Sequence, residues 1–206
     1  MKSEHYPIAL GETLQGFFEA TVSEVARRRG ATTTDAVRGY LVGLLSDFAK
    51  PQSFMSEALN RPLTLLLYEA RSATGYERFE RLRTVGDGVL YVAGFFRDHI
   101  QGRGIALSYV NALGAQAYGS LSQMLKQPVR DAAADQDIFR ELSDNFQDFA
   151  ELMFEIGEVF QAQSAKTTPR ATVQLYERWL RTGSHAIEEA LGERGIFPLR
   201  GTETLH

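Results

Sequence analysis

The run Gly86-Asp87-Gly88-Val89-Leu90-Tyr91-Val92-Ala93-Gly94-Phe95-Phe96 constrains the fold of this chain more than any other stretch. It sets one carboxylate and three glycines inside an otherwise apolar segment. Such a segment is buried on folding, and a carboxylate beside buried backbone needs a partner or an altered protonation state. The same residues therefore mark where the core runs closest to a candidate site. Taken alone, Val89 to Phe96 also reads as a buried strand. Helical spacing on both flanks rejects that reading and makes the run the middle of a helix.

Helical periodicity dominates the rest of the chain. Phe139, Leu142, Phe146, Phe149, Met153, Ile156 and Phe160 follow a strict 3-4-3-4-3-4 spacing, which predicts a long helix near 136–162 with one apolar side. Leu10, Leu14, Phe17, Thr21 and Val25 predict a first helix ending near Gly30. Thr32 caps a second, with Val37, Tyr40, Leu41, Leu44 and Phe48 inward and Pro51 as the stop. Pro62 opens a short buried helix over Leu63 to Leu67, and Thr74-Gly75-Tyr76-Glu77 matches a capping box at the head of the central helix. That helix places Leu82, Val85, Val89, Val92 and Phe96 inward and ends before Gly102. The next uses Ala106, Val110, Leu113, Ala117, Leu121 and Met124. Thr168-Pro169 opens a helix with Val173, Tyr176, Trp179 and Leu180 inward, and Ser184 caps a last one reaching Arg194.

The expectation is an all-α fold: one domain over residues 1–206, a bundle of about seven to eight helices. Residues 1–8 and 199–206 are expected as tails, and helices within 168–198 are expected to pack on the bundle or on a partner. Linkers are expected at 50–60, 127–134 and 162–168, none long or biased enough to separate domains.

Composition closes several doors. A net charge of −4 argues against a broad nucleic-acid footprint, and Arg27-Arg28-Arg29 and Arg78/Arg81/Arg83 are interleaved with glutamates as on solvated helix faces. Without cysteine there is no disulfide, thiolate chemistry or cysteine-ligated metal, which suits a reducing compartment. The N-terminus lacks the apolar core of a secretory signal. The longest apolar stretch falls far short of the ~20 residues a membrane-spanning helix requires. A cytoplasmic protein, off the membrane, is expected.

Chemistry is sparser. Arg83, Asp87, Tyr91, Gly94 and Asp98 recur about once per turn and share one face of the central helix, nearly opposite its apolar seam. Arg83 and Asp87 can pair at i,i+4, Tyr91 can extend the hydrogen-bond chain, and Gly94 leaves room for another helix or a ligand. Two readings stand: a buried network that sets helix register, or a pocket where Asp87 takes a proton or anchors a cation. Tyr109, Asn111 and Tyr118, with small residues between them, can line such a pocket, and His99 lies at the end of the seam. The ligand-binding candidates are thus Arg83, Asp87, Tyr91, His99, Tyr109, Asn111 and Tyr118.

No Glu-x-x-His pair is present, so the di-iron ligand set of ferritin-like bundles is missing and no metal is expected. Gly-x-Ser-x-Gly is absent as well, and Gly102-Arg103-Gly104 lacks the Lys-Ser/Thr of a phosphate loop. Neither a catalytic residue nor a cofactor is expected.

The blocks Arg83-Thr84-Val85-Gly86-Asp87, Leu90-Tyr91, Gly94-Phe95-Phe96 and Leu175 to Ser184, with Tyr118 and the helix from Phe139 to Glu158 between them, resemble a family of uncharacterised bacterial all-helical proteins. The resemblance covers roughly residues 35–198 and implies fold class and bacterial origin, with no established activity to transfer. Three functions follow as expectations: a non-enzymatic interaction, scaffold or regulatory protein acting as a homodimer; a small-molecule-binding protein or cofactor-independent enzyme using the Arg83/Asp87/Tyr91 face; and an all-α transcriptional regulator.

Overall fold

The computed structural model describes residues 14–50, 62–125 and 137–199, which form ten helices and no strand. In chain order they are α1 (Leu14–Arg29), α2 (Asp35–Phe48), α3 (Leu63–Ser72), α4 (Gly75–Phe95), α5 (Arg97–Gly102), α6 (Leu107–Leu125), α7 (Ile138–Asp144), α8 (Phe146–Ser164), α9 (Pro169–Thr182) and α10 (His185–Gly192). Leu10, both expected tails apart from Leu199, and the linkers expected at 50–60 and 127–134 (Lys50 excepted) lie outside the described residues.

The count exceeds the expected seven to eight because two expected helices are each broken once. Phe96 leaves helical geometry between α4 and α5, at φ −119° and ψ 28°. Asn145 does the same, at φ −116° and ψ 27°, between α7 and α8. The long stripe survives its kink: Phe139, Leu142, Phe146, Phe149, Met153 and Ile156 are all buried. Ser143 Oγ donates to the Ala115 carbonyl at 2.8 Å beside that bend and ties it to α6.

Helix α4 is the axis, packed against α3, α6 and α8. Every residue from Val85 to Leu90 is buried, Asp87 included. The polar strip, expected as a buried network or the wall of a pocket, is buried at Asp87 and Gly94. The strip's two ends, Arg83 and Asp98, reach solvent, and so does the seam's end, Phe96, at 48% exposure.

Close approach around this axis depends on glycine. A Cβ on Gly94 would stand 2.5 Å from Met153 Cβ, one on Gly114 2.2 Å from the Phe146 ring, and one on Gly86 2.6 Å from the Tyr118 ring. These three positions bring α4, α6 and α8 together pairwise at distances no side chain permits. The room expected above Gly94 is filled by helix α8.

Capping follows the sequence in part. Thr168 Oγ1 accepts from Ala171 N and Ser184 Oγ from Ile187 N, as expected. The cap of α2 is Thr34 rather than Thr32: its Oγ1 accepts from Val37 N at 3.3 Å while its own N–H and O–H donate to Glu141 at 3.0 and 2.7 Å. A carboxylate on α7 thus selects which threonine caps. Thr74 precedes α4, but its side chain makes no capping hydrogen bond.

Helices α9 and α10 build a second small core, with Leu175, Trp179, Ile187 and Leu191 gathered on Ala162 of α8. The hairpin turns at Gly183, whose φ of +64° favours glycine. Beneath it, Glu158 of α8 is 1% exposed and accepts from Arg178 Nε at 2.7 Å and from Thr182 Oγ1 at 3.2 Å. Arg178 and Arg181 also reach Asp98 of α5, at 3.9 and 3.8 Å. Val173 and Leu180, expected inward, face solvent; Leu175 takes the buried place.

Alanine at Gly94 should cost about 1–3 kcal/mol of stability in urea denaturation, the usual penalty for overpacking. Gly39 lies on exposed α2 surface with nothing within 4 Å of a Cβ. Gly39→Ala should be neutral or gain about 0.5–1 kcal/mol from reduced unfolded-state entropy.

Candidate functional site

Helix α4 carries Asp87 inward because it sits in the Val85–Leu90 segment, which is buried on all sides. Its Oδ1 accepts two phenol hydrogen bonds, from Tyr40 of α2 at 2.5 Å and from Tyr118 of α6 at 2.8 Å. Its Oδ2 faces Arg83 Nε one turn back at 3.5 Å. That guanidinium also lies over the Tyr40 ring, 5.8 Å from its centre. The carboxylate is a three-helix junction.

An aromatic shell closes around it. Phe139 of α7 touches Tyr40 edge-on at 5.8 Å and stacks on Tyr118 at 5.9 Å, and Phe79 meets Phe139 from α4. These rings exclude water, and desolvation raises the Asp87 pKa from 3.8 to about 6, against the opposing pull of both phenols and Arg83. Burial and the adjacent carboxylate push both tyrosines well above the ordinary phenol value, so they remain protonated donors.

Beside this junction lies a cavity of about 130 Å³, lined by Tyr40, Gly43, Leu44, Asp47, Phe48, Arg83 and Asp87. Phe48 stacks on Tyr91 at 3.7 Å and forms the wall shared with a neighbouring groove of about 300 Å³. That groove is lined by Phe17, Phe48, Tyr91, Phe95 and Phe160, among others. The smaller space meets charged groups and the larger one meets rings.

The expected site residues divide. Arg83, Asp87 and Tyr118 converge. Tyr91 does not join the hydrogen-bond chain: it stacks between Phe48 and Phe95, which takes its ring towards the groove. His99 on α5 is exposed, and Tyr109 at the start of α6 is 55% exposed. Asn111 keeps its Oδ1 buried without a hydrogen-bond partner among the described residues, outside the cavity lining. Sequence reasoning had Tyr40 inward but gave it no polar role. A buried tyrosine needs a partner for its hydroxyl, and Asp87 was the one carboxylate set inside an apolar run, so the signal was present.

Among the described residues no group of three His, Cys, Asp or Glu is placed to hold a metal, and no helix is long and apolar enough to cross a membrane. An acid ionising near pH 6 lies in the range useful for proton transfer, yet both phenols already occupy Oδ1, Oδ2 faces Arg83, and the adjoining space is small. Compared with family models, curated proteins and solved structures, the chain matches none.

Asp87→Ala strands two buried hydroxyls and should cost about 3–5 kcal/mol, as for breaking a buried pair. Asp87→Asn keeps an acceptor for the tyrosines and should cost less. Because the folded pKa lies above the unfolded one, Asp87 contributes most below pH 4, and that contribution is lost as pH rises through about 6. Urea denaturation across pH 4 to 7 should show the stability of the native chain falling relative to Asp87→Asn, then levelling.

Proposed function

We propose that this chain is a non-enzymatic helical interaction protein that works as a homodimer, with the C-terminal hairpin as its contact surface. One observation carries the reading: α9 turns Val173 and Leu180, 56% and 50% exposed, to solvent while its opposite side is buried on α8 and α10. The two side chains are seven residues apart, two helical turns, and so lie on one line. In a two-fold antiparallel contact, Val173 of one copy meets Leu180 of the other twice over, the self-complementarity an isologous interface requires.

The Asp87 junction supports the non-enzymatic part. Its Oδ1 serves two tyrosines of the same chain and its Oδ2 faces Arg83, and its cavity is below the roughly 300–1,000 Å³ of ordinary metabolite pockets. A regulator reading nucleic acid through α1 has less support. Arg27 and Arg28 are turned to Glu24 at 2.8 and 4.0 Å, and Arg29 pairs with Glu155. A chain without cysteine suits a reducing cytoplasm, and the family resemblance makes a bacterial one the expectation.

Size-exclusion chromatography with light scattering should find a dimer, and Val173→Glu with Leu180→Glu should convert it to a monomer whose melting temperature resembles that of the free wild-type subunit. A chain monomeric at every concentration, or a double variant that stays dimeric, overturns the assignment of this face.

A further inference from the structure

We propose that the cavity between α2 and α4 binds a small primary ammonium compound, with its nitrogen on Asp87 Oδ2 and its short apolar portion against Leu44 and Phe48. The site goes beyond self-association and does not depend on it.

Five observations lead there. Asp87 is the least satisfied on the side that matters: Oδ1 accepts two hydrogen bonds, whereas Oδ2 has only the 3.5 Å approach of Arg83 Nε, outside good hydrogen-bond geometry. That guanidinium is 43% exposed, so solvent screens it and it can swing aside. Among the lining residues two carboxylates, Asp47 and Asp87, stand against one guanidinium, so with Asp87 ionised the lining itself carries one net negative charge. Tyr40 and Phe48 add ring surface, which attracts an ammonium group. A volume of about 130 Å³ admits roughly four waters' worth of ligand. This suits a short alkylamine and excludes a nucleotide or a folded cofactor.

A primary ammonium fits better than a metal ion, because its three donors can use Asp87 Oδ2 and Asp47 while its carbon chain rests on Leu44 and Phe48. An anion would meet both carboxylates. Lys50 holds Asp47 at 2.7 Å, but that pair is exposed and adds little.

Binding should depend on pH. The titratable and charged groups around Asp87 are Tyr40 and Asp47 from α2, Glu80 and Arg83 from α4, and Tyr118 from α6. Both tyrosines stay protonated and Arg83 stays charged throughout, so Asp87 governs the response near pH 6. An ammonium ligand favours the ionised form, and affinity falls as the pH drops.

The test is calorimetric titration of the full chain with propylammonium, in potassium chloride of matched ionic strength, with propionate as the charge-reversed control. Propylammonium should bind at pH 7.5 and propionate should not. Affinity should drop about tenfold at pH 5, one unit below the Asp87 value of about 6. Asp87→Asn should lose binding by at least the same factor. Should that variant fail to fold, Gly43→Leu decides, because nothing lies within 4 Å of a Cβ there and a leucine stands over the cavity mouth. It should keep the melting temperature and lose the ligand. Failure of native protein to bind propylammonium, equal binding of propionate, or full affinity in Gly43→Leu overturns the assignment.

Discussion

The distance between α4 and α6 at Gly86 governs the interior of this protein. The Tyr118 ring occupies the space where a side chain at position 86 would stand, and only from there does its hydroxyl reach the Asp87 carboxylate on the next residue. The pairing of a missing side chain with a large ring is what lets a charged group sit within a core otherwise built of leucine, valine and phenylalanine. Gly94 and Gly114 apply the same device to α8, so the three longest helices of the bundle meet where small residues allow it. Interiors this dense transmit any added volume to their neighbours. Helix positions here are set by glycine as much as by hydrophobic area.

Two buried carboxylates hold different parts together by different chemistry. Glu158 meets a guanidinium directly, and its second oxygen accepts from Thr182, so its charge is matched and both oxygens are used. It fastens the C-terminal hairpin to α8 in one orientation, beside the small core around Trp179. Asp87 instead gathers two neutral phenols and a half-exposed guanidinium at 3.5 Å. Neutral donors lower the cost of burying the charge without cancelling it, and the acid is left more easily protonated than usual. One carboxylate behaves as a clamp. The other is a polar centre beside a small cavity, with one oxygen shared by two phenols and the other at 3.5 Å from Arg83.

Surface and interior point to different kinds of partner. Outward, α9 presents a short apolar line, the shape of a modest helix-to-helix contact. Inward, the Asp87 cavity is small and bounded by ring faces and charge. The groove beyond Phe48 is larger and almost wholly aromatic and aliphatic. Phe48, stacked on Tyr91, lines both spaces, so a change of its rotamer alters both.

Much of the fold was legible in the residues themselves. Spacing at 3.6-residue period located the long helices, because burying one side of a helix writes that period into the chain, but not the breaks at Phe96 and Asn145 that split two of them. Caps at Thr168 and Ser184 were readable for the same local reason. Asp87 was identifiable as a candidate because an acid among apolar neighbours is costly wherever it lies. What the chain could not reveal was which elements meet. Thr34 rather than Thr32 caps α2 because Glu141, 107 residues away, approaches it. Tyr40 joins Asp87 across 47 residues, and Gly94 receives Met153 instead of a ligand. Val173 and Leu180 face outward because Leu175 and Trp179 are the pair that α8 and α10 accommodate. Local periodicity decides whether a residue is on a helix and roughly which side it shares. Contacts between distant segments decide what that side touches, since they depend on packing that no single window of sequence contains.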